Sequence, residues 1–178
     1  MNVINVKKKS YTDYAKLGEG APYQLINGMF VKSPSPVPYH QSISKHLLFQ
    51  LYKFEQLGKG KVFIAPLDVY LSDENTFQPD LIFILKDHLS IIGSRKIEGP
   101  PDIVFEILSP STAYYDLRQK KHVYEQFGVQ EYWIIDPMEK RIDMFKNQGK
   151  KYILITSAAA AGEVSSELLK GFTVSLET

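Results

Sequence analysis

Two long stretches of the chain carry apolar residues at helical spacing, and most of the remainder alternates or runs apolar as strands do. From Tyr39 to about Leu57 the positions Ile43, Leu47, Leu51 and Phe54 fall on one face, and Gly58 ends the run. A second helix is predicted from Ala113 to Phe127, with Gly128 just past its end. A short helix is expected near the N-terminus, from about Ser10 to Leu17, capped by Ser10 and stopped by Gly18. YQLINGMFV reads as two short strands around Asn27-Gly28, a common hairpin turn pair, and SPSPVP as a rigid loop. Further strands are predicted at KVFIA, DVYLS, PDLIFIL, DIVFEIL, EYWIID, RIDMFK, KYILIT and FTVSL, and SAAAAGE (157–163) as a small-residue connection. Helices around apolar strands imply an α/β or α+β sandwich with a mixed sheet. At 178 residues, with no internal repeat, one domain is expected: helix and hairpin at 10–32, a core at 37–136 and C-terminal strands at 139–176.

One carboxylate breaks this pattern. In PDIVFEILSPST the apolar run Ile103 to Leu108 is interrupted by Glu106, and a buried unpaired carboxylate is costly. Alternate strand residues share a face, so Asp102, Val104, Glu106 and Leu108 point one way and Ile103, Phe105 and Ile107 the other. PDLIFIL repeats the theme, with Asp80 on the face of Ile82 and Ile84. A proline before each aspartate sets Asp80 and Asp102 at strand beginnings, where Asp102 is explained by turn chemistry. Nothing about turns explains Glu106.

The following helix holds a second anomaly. Leu117, Val123, Tyr124 and Phe127 define an apolar face. At 100° per residue Lys120 lies within about 10° of its centre, whereas Lys121 lies about 95° away. Such a lysine either snorkels to the edge or meets Glu106 in a cleft. Two acidic residues on neighbouring strands plus a lysine suit a magnesium-dependent hydrolytic site, in which the lysine orients a water and neutralises phosphate charge. A structural Glu–Lys ion pair would satisfy the same residues without catalysis, and the residues alone leave both readings open.

Composition narrows the chemistry. There is no cysteine, which excludes disulfides, thiolate zinc sites and a cysteine nucleophile and fits a reducing cytoplasm. A net charge of +1 gives no general affinity for nucleic acid, so any such binding needs a local patch. Basic residues cluster at 59–61, 95–96, 118–121 and 140–151. No apolar stretch approaches the length of a membrane span, and MNVINVKKKS lacks the apolar segment of a signal peptide. Histidines 40, 46, 88 and 122 lack metal spacing, and LSPST lacks the G-x-S-x-G elbow. Ser109, Ser111 and Thr112 are expected to cap the helix, Trp133 to be core, and Asp136 to serve a turn.

PDLIFIL, PDIVFEILSPST, DLRQK, Tyr124 and GVQEYWIIDP, taken in order, are similar to a bacterial family of restriction-endonuclease-like proteins in the PD-(D/E)XK nuclease superfamily, over roughly residues 23–172. The resemblance implies a central mixed sheet flanked by helices, with Asp80 and Glu106 as the motif carboxylates. The superfamily lysine two residues after the glutamate is Leu108 here, and the matching lysine is Lys120 in DLRQK, the one the helical wheel selects. Members often read YELIDGE where this chain reads YQLINGM, so Gln24, Asn27 and Met29 replace acidic residues. In YHQSISKHL only His40 and Gln41 stand where an acidic helix residue is usual, and a structurally satisfied histidine is the commoner explanation of His40.

The expected function is therefore a cytoplasmic Mg2+-dependent endonuclease, Mn2+ substituting, that hydrolyses phosphodiester bonds in DNA. Asp80 and Glu106 would hold the metal and Lys120 would act on the water. His40, Gln41, Asp102 and Asp116 are candidates to support them from outside. A homodimer is expected because cutting both strands needs two sites. The alternative is a catalytically silent nucleic-acid- or protein-binding module of the same fold.

Overall fold

The computed structural model describes residues 7–18, 20–110 and 113–176. Its elements are α1 (Tyr11–Ala15), β1 (Tyr23–Ile26), β2 (Met29–Lys32), α2 (Pro38–Gln56), β3 (Gly60–Ile64), β4 (Val69–Ser72), β5 (Asn75–Phe77) and β6 (Leu81–Leu85). They continue with β7 (Ile97–Glu98), β8 (Ile103–Ile107), α3 (Lys121–Phe127), β9 (Glu131–Asp136), β10 (Arg141–Asn147), β11 (Tyr152–Ala159), β12 (Gly162–Ser165) and β13 (Thr173–Leu176).

A mixed sheet in the order β11-β10-β9-β8-β6-β3 forms the centre, with β8 and β9 parallel and the other pairs antiparallel. The alternation read from the sequence sorts its two faces. Ile103, Phe105 and Ile107 join Leu81 and Phe83 in one core, covered by Leu47 and Leu51 of α2 and by Phe172 and Val174 near β13. Val104 and Leu108 join Ile82 and Ile84 in the other, covered by Val123 and Tyr124 of α3. That second face is also covered by a five-stranded sheet, β2-β1-β5-β4-β7, through Ile26, Val69, Phe77 and Ile97. The pattern did not announce this second sheet, because β5 and β7 span only three and two residues, too short for periodicity to register.

Local signals acted as expected where they were strong. Ser10 caps α1 in a reciprocal box with Asp13. Asn27 and Gly28 turn the β1–β2 hairpin with φ of 51° and 77°, the left-handed pair such a turn needs. Gly128, at φ 90°, ends α3. Asp136 accepts hydrogen bonds from the Met138 and Glu139 amides in a turn, and Trp133 is fully buried.

Two expectations are corrected. The stretch 157–163 is not a plain connection: β11 runs through Ala159, turns at Ala160 (φ 63°) and returns as β12. The helix before Gly128 is not uniformly α-helical, since Tyr115–Lys120 winds as a π-turn. That wider turn shifts the phase of the wheel. Leu117 and Phe127 are exposed, and the buried stripe is Asp116, Lys120, Val123 and Tyr124. Lys120 belongs to the buried face as expected, but for polar company as much as apolar.

Candidate functional site

Antiparallel pairing of β6 with β8 matches Leu81 with Phe105, which sets Asp80 beside Glu106 across the strands. Asp80 sits just before β6, and its Oδ2 accepts a hydrogen bond from the Ile107 amide at 2.7 Å. His40, from the first turn of α2, places Nε2 3.2 Å from Asp80 Oδ1. Lys120 donates to Glu106 Oε1 at 3.1 Å, and the Tyr124 hydroxyl donates to the same oxygen at 3.1 Å. Lys120 Nζ also lies 2.8 Å from Asp116 Oδ1, an electrostatic contact whose angles fall short of a hydrogen bond. Tyr132 donates to the Asp116 carbonyl at 2.8 Å. The π-turn makes this possible, because it aims Asp116, Lys120 and Tyr124 at one carboxylate.

Burial sets the electrostatics. Glu106 is 2% exposed and Lys120 3%. Burial, with Asp116 and Asp80 adding repulsion, pushes Glu106 up to about 8 against the pull of Lys120. Burial works against the Lys120 ammonium too, but Asp116 and Glu106 outweigh it and hold that lysine protonated above the usual lysine range. Lys121 behaves oppositely: burial lowers it, and its ammonium lies 3.3 Å from the centre of the Phe145 ring. The contact with Asp80 raises His40 in spite of partial burial. Burial and Glu106 hold the Tyr124 proton well above the ordinary tyrosine range, so the hydroxyl is a standing donor.

Asp80, Glu106 and Asp116 thus gather around one charged lysine, in surroundings buried and crowded enough to keep a proton on Glu106 up to about pH 8. A divalent cation would relieve that crowding. His40 Nδ1 is a further buried polar atom without a hydrogen-bond partner among the described residues. Among those residues no three His, Asp or Glu side chains draw together as a self-sufficient metal cage. Magnesium does not require one, since it is held by one or two carboxylates with waters and substrate oxygens. Asp80, with a side chain 20% exposed, is the carboxylate within reach of solvent. The residues fit the ion.

The remaining sequence candidates lie elsewhere. Asp102 is at the opposite end of β8, bonded to the Leu85 amide, His88 and Gln130. Gln41 is exposed on α2 and lines a shallow recess with Ser42, Lys45, Leu48 and Ile64. Gln24 is buried, donating to Ser33 and accepting from the Gln78 amide, so it steadies the chain two residues before Asp80. Asn27 serves the hairpin turn and Met29 is exposed. The Ser109 carbonyl accepts from the Ala113 amide, while Ser111 and Thr112 lie outside the described residues. Tyr124, expected on the apolar face of its helix and part of the family pattern, and Tyr132, within EYWIID, are the site members to which the sequence assigned no chemical role. Tyr124 follows Lys120 by one helical turn, the signal that could have shown it. A recess of about 380 Å³ between the start of α2 and the ends of β9 and β10 is lined by Tyr39, Ile43, Pro137 and Lys140, and by none of Asp80, Glu106 or Lys120.

Among the described residues no helix is long and apolar enough to cross a membrane. A crystal structure of a "putative nuclease belonging to DUF820" from Anabaena variabilis superposes with a TM-score of 0.77, covering 94% of each chain at 18% identity, and shows the fold. An uncharacterised protein of Synechocystis sp. PCC 6803 is 26% identical over 164 residues, which is 88% of this chain and 90% of the relative. Residues 9–177 match the Uma2 family, described as "Putative restriction endonuclease", and the chain belongs to that family.

Proposed function

We propose that this protein is a magnesium-dependent endonuclease that hydrolyses phosphodiester bonds in DNA, with Mn2+ able to substitute. The observation that carries the reading is the meeting of Asp80, Glu106 and Lys120 at one end of the β6–β8 pair, with Lys120 Nζ 3.1 Å from Glu106 Oε1. Family membership and the Anabaena fold support it.

Asp80 and Glu106 would hold the cation, which supplies Lewis acidity toward a phosphoryl oxygen and lowers the pKa of a bound water. Lys120 has three N–H donors. One goes to Glu106 Oε1, Asp116 lies at 2.8 Å outside hydrogen-bond geometry, and a remaining donor would orient the attacking water and meet charge on the pentacovalent phosphate. The water oxygen would bond to phosphorus as the bond from phosphorus to the leaving oxygen breaks, the water giving up a proton to solvent and the leaving oxygen taking one from solvent. Asp116 keeps Lys120 protonated and so fixes it as an electrostatic stabiliser rather than a base. A homodimer, bringing two such sites together, would serve double-strand cutting.

The competing reading is a silent binding module of the same fold. On its side stands the absence of a three-ligand cage among the described residues, with Lys120 tied to Asp116. Supercoiled plasmid and single-stranded oligonucleotides incubated with Mg2+ or Mn2+ decide between them. Cleavage by the wild type, lost in Glu106→Gln and in Lys120→Ala, is the expected result. Folded protein that cuts nothing with either metal would favour the binding module, and cutting that survives both changes would place the chemistry elsewhere.

A further inference from the structure

Tyr124 carries a hydroxyl that the proposed reaction leaves unused. Its ring is fully buried, perpendicular to Phe77 at 5.3 Å and beside Tyr132 at 5.4 Å. That packing would be met equally by phenylalanine. The hydroxyls of the next two tyrosines in this stack go to main-chain carbonyls, that of Tyr132, beside Tyr124, to Asp116 at 2.8 Å and that of Tyr152, stacked on Tyr132, to Val129 at 3.0 Å. Tyr124 alone of these three bonds a carboxylate, and it chooses the oxygen already taken by Lys120. Two donors gathered on Oε1 fix the plane of the Glu106 carboxyl and commit that oxygen.

We infer that Tyr124 is a positioning residue for cation capture: by occupying Glu106 Oε1 together with Lys120, it makes Oε2 the oxygen that Glu106 presents to a divalent ion shared with Asp80. The inference rests on the reading above, in which Asp80 and Glu106 hold that ion. Groups that hydrogen-bond a metal-binding carboxylate from outside typically matter by about 10–100-fold in metal affinity.

The test is calorimetric titration of Mn2+ into the full chain without nucleic acid, for wild type, Glu106→Gln, Tyr124→Phe and Tyr152→Phe. Tyr124→Phe is expected to weaken Mn2+ binding by about tenfold or more. Tyr152→Phe, which loses a half-buried hydroxyl of the same ring cluster, is expected to bind as the wild type does. Equal affinity in Tyr124→Phe and wild type, with binding lost in Glu106→Gln, overturns the role of Tyr124 and spares the nuclease reading. Equal weakening in both tyrosine variants reduces the effect to general loosening and overturns it as well. A wild type that binds no Mn2+ overturns both readings together. Should Tyr124→Phe fail to fold, 3-fluorotyrosine at position 124 keeps the shape and strengthens the donor, and weaker binding there would count against the inference.

Discussion

Two aspartates in this chain begin from the same local sequence and end in opposite circumstances. Asp80 and Asp102 each follow a proline, each precede a strand, and each lie on the same face of the β6–β8 pair. Because the strands are antiparallel, each caps its partner's far end: Asp80 accepts from the Ile107 amide and Asp102 from the Leu85 amide, both at 2.7 Å. Each also meets a histidine, His40 at 3.2 Å and His88 at 2.5 Å. The difference lies in the third neighbour. Asp102 has the neutral amide of Gln130 at 2.8 Å, and its side chain is 2% exposed. Asp80 has Glu106 beside it, with Asp116 and a single lysine behind. A carboxylate whose donors are complete holds structure together. One set among competing carboxylates keeps an unspent demand for positive charge, the demand the proposed cation would meet.

The largest effects should separate the two ends by activity. Glu106→Gln and Lys120→Ala are expected to lower cleavage by at least about 10²-fold, whereas Asp102→Asn should cut at the wild-type rate per folded molecule. Gel assays on protein whose folded fraction is known would show this, and loss of cutting in Asp102→Asn would erase the contrast. Stability should rank next. Lys120→Ala leaves two buried carboxylates without their counter-ion and should cost roughly 3–5 kcal/mol in urea unfolding at pH 8. The loss should shrink at pH 5, where Glu106 already holds its proton. Asp102→Ala strands the donors that converge on it and should cost about 1–3 kcal/mol.

A subtler test uses Glu106 alone. Its folded pKa of about 8 exceeds the ordinary 4.5, so the folded state holds the extra proton between those values. The stability this contributes is fully present below about 4.5 and lost as pH rises through about 8. Metal-free melting temperature should therefore fall across that window, the fall should flatten in Glu106→Gln, and Mg2+ should offset it most at the alkaline end. A wild-type curve as flat as the variant's would refute the raised pKa. The smallest effect is expected at His88, whose side chain is 53% exposed and supplies one of several donors to Asp102. His88→Ala should cost under about 1 kcal/mol.

How far the site could be read in advance depended on how local each signal was. Glu106 stood out because an ionisable residue in an apolar strand breaks a period of two, and Lys120 because it broke a helical stripe. Both departures are visible in a dozen residues. Strand faces, the capped first helix and the Asn27-Gly28 hairpin were legible for the same reason: dihedral preference and side-chain alternation are set by immediate neighbours. The distinction between Asp80 and Asp102 was not written in their local pattern, since both read Pro-Asp before an apolar strand, and it was the family resemblance that singled out Asp80.

Long-range register decided the remainder. Pairing Leu81 with Phe105 is what sets Asp80 against Glu106 and sends Asp102 to the other end. The π-turn at Tyr115–Lys120 decided that Asp116 joins Val123 and Tyr124 in accompanying Lys120 inward, while Leu117 and Phe127 turn out to solvent. The sequence by itself determined which residues were out of place on their own elements. Only the tertiary structure decided which of them meet, because apart from the Asp116–Lys120 pair these charges are satisfied by groups more than ten positions away, and no local pattern encodes the register that brings them together.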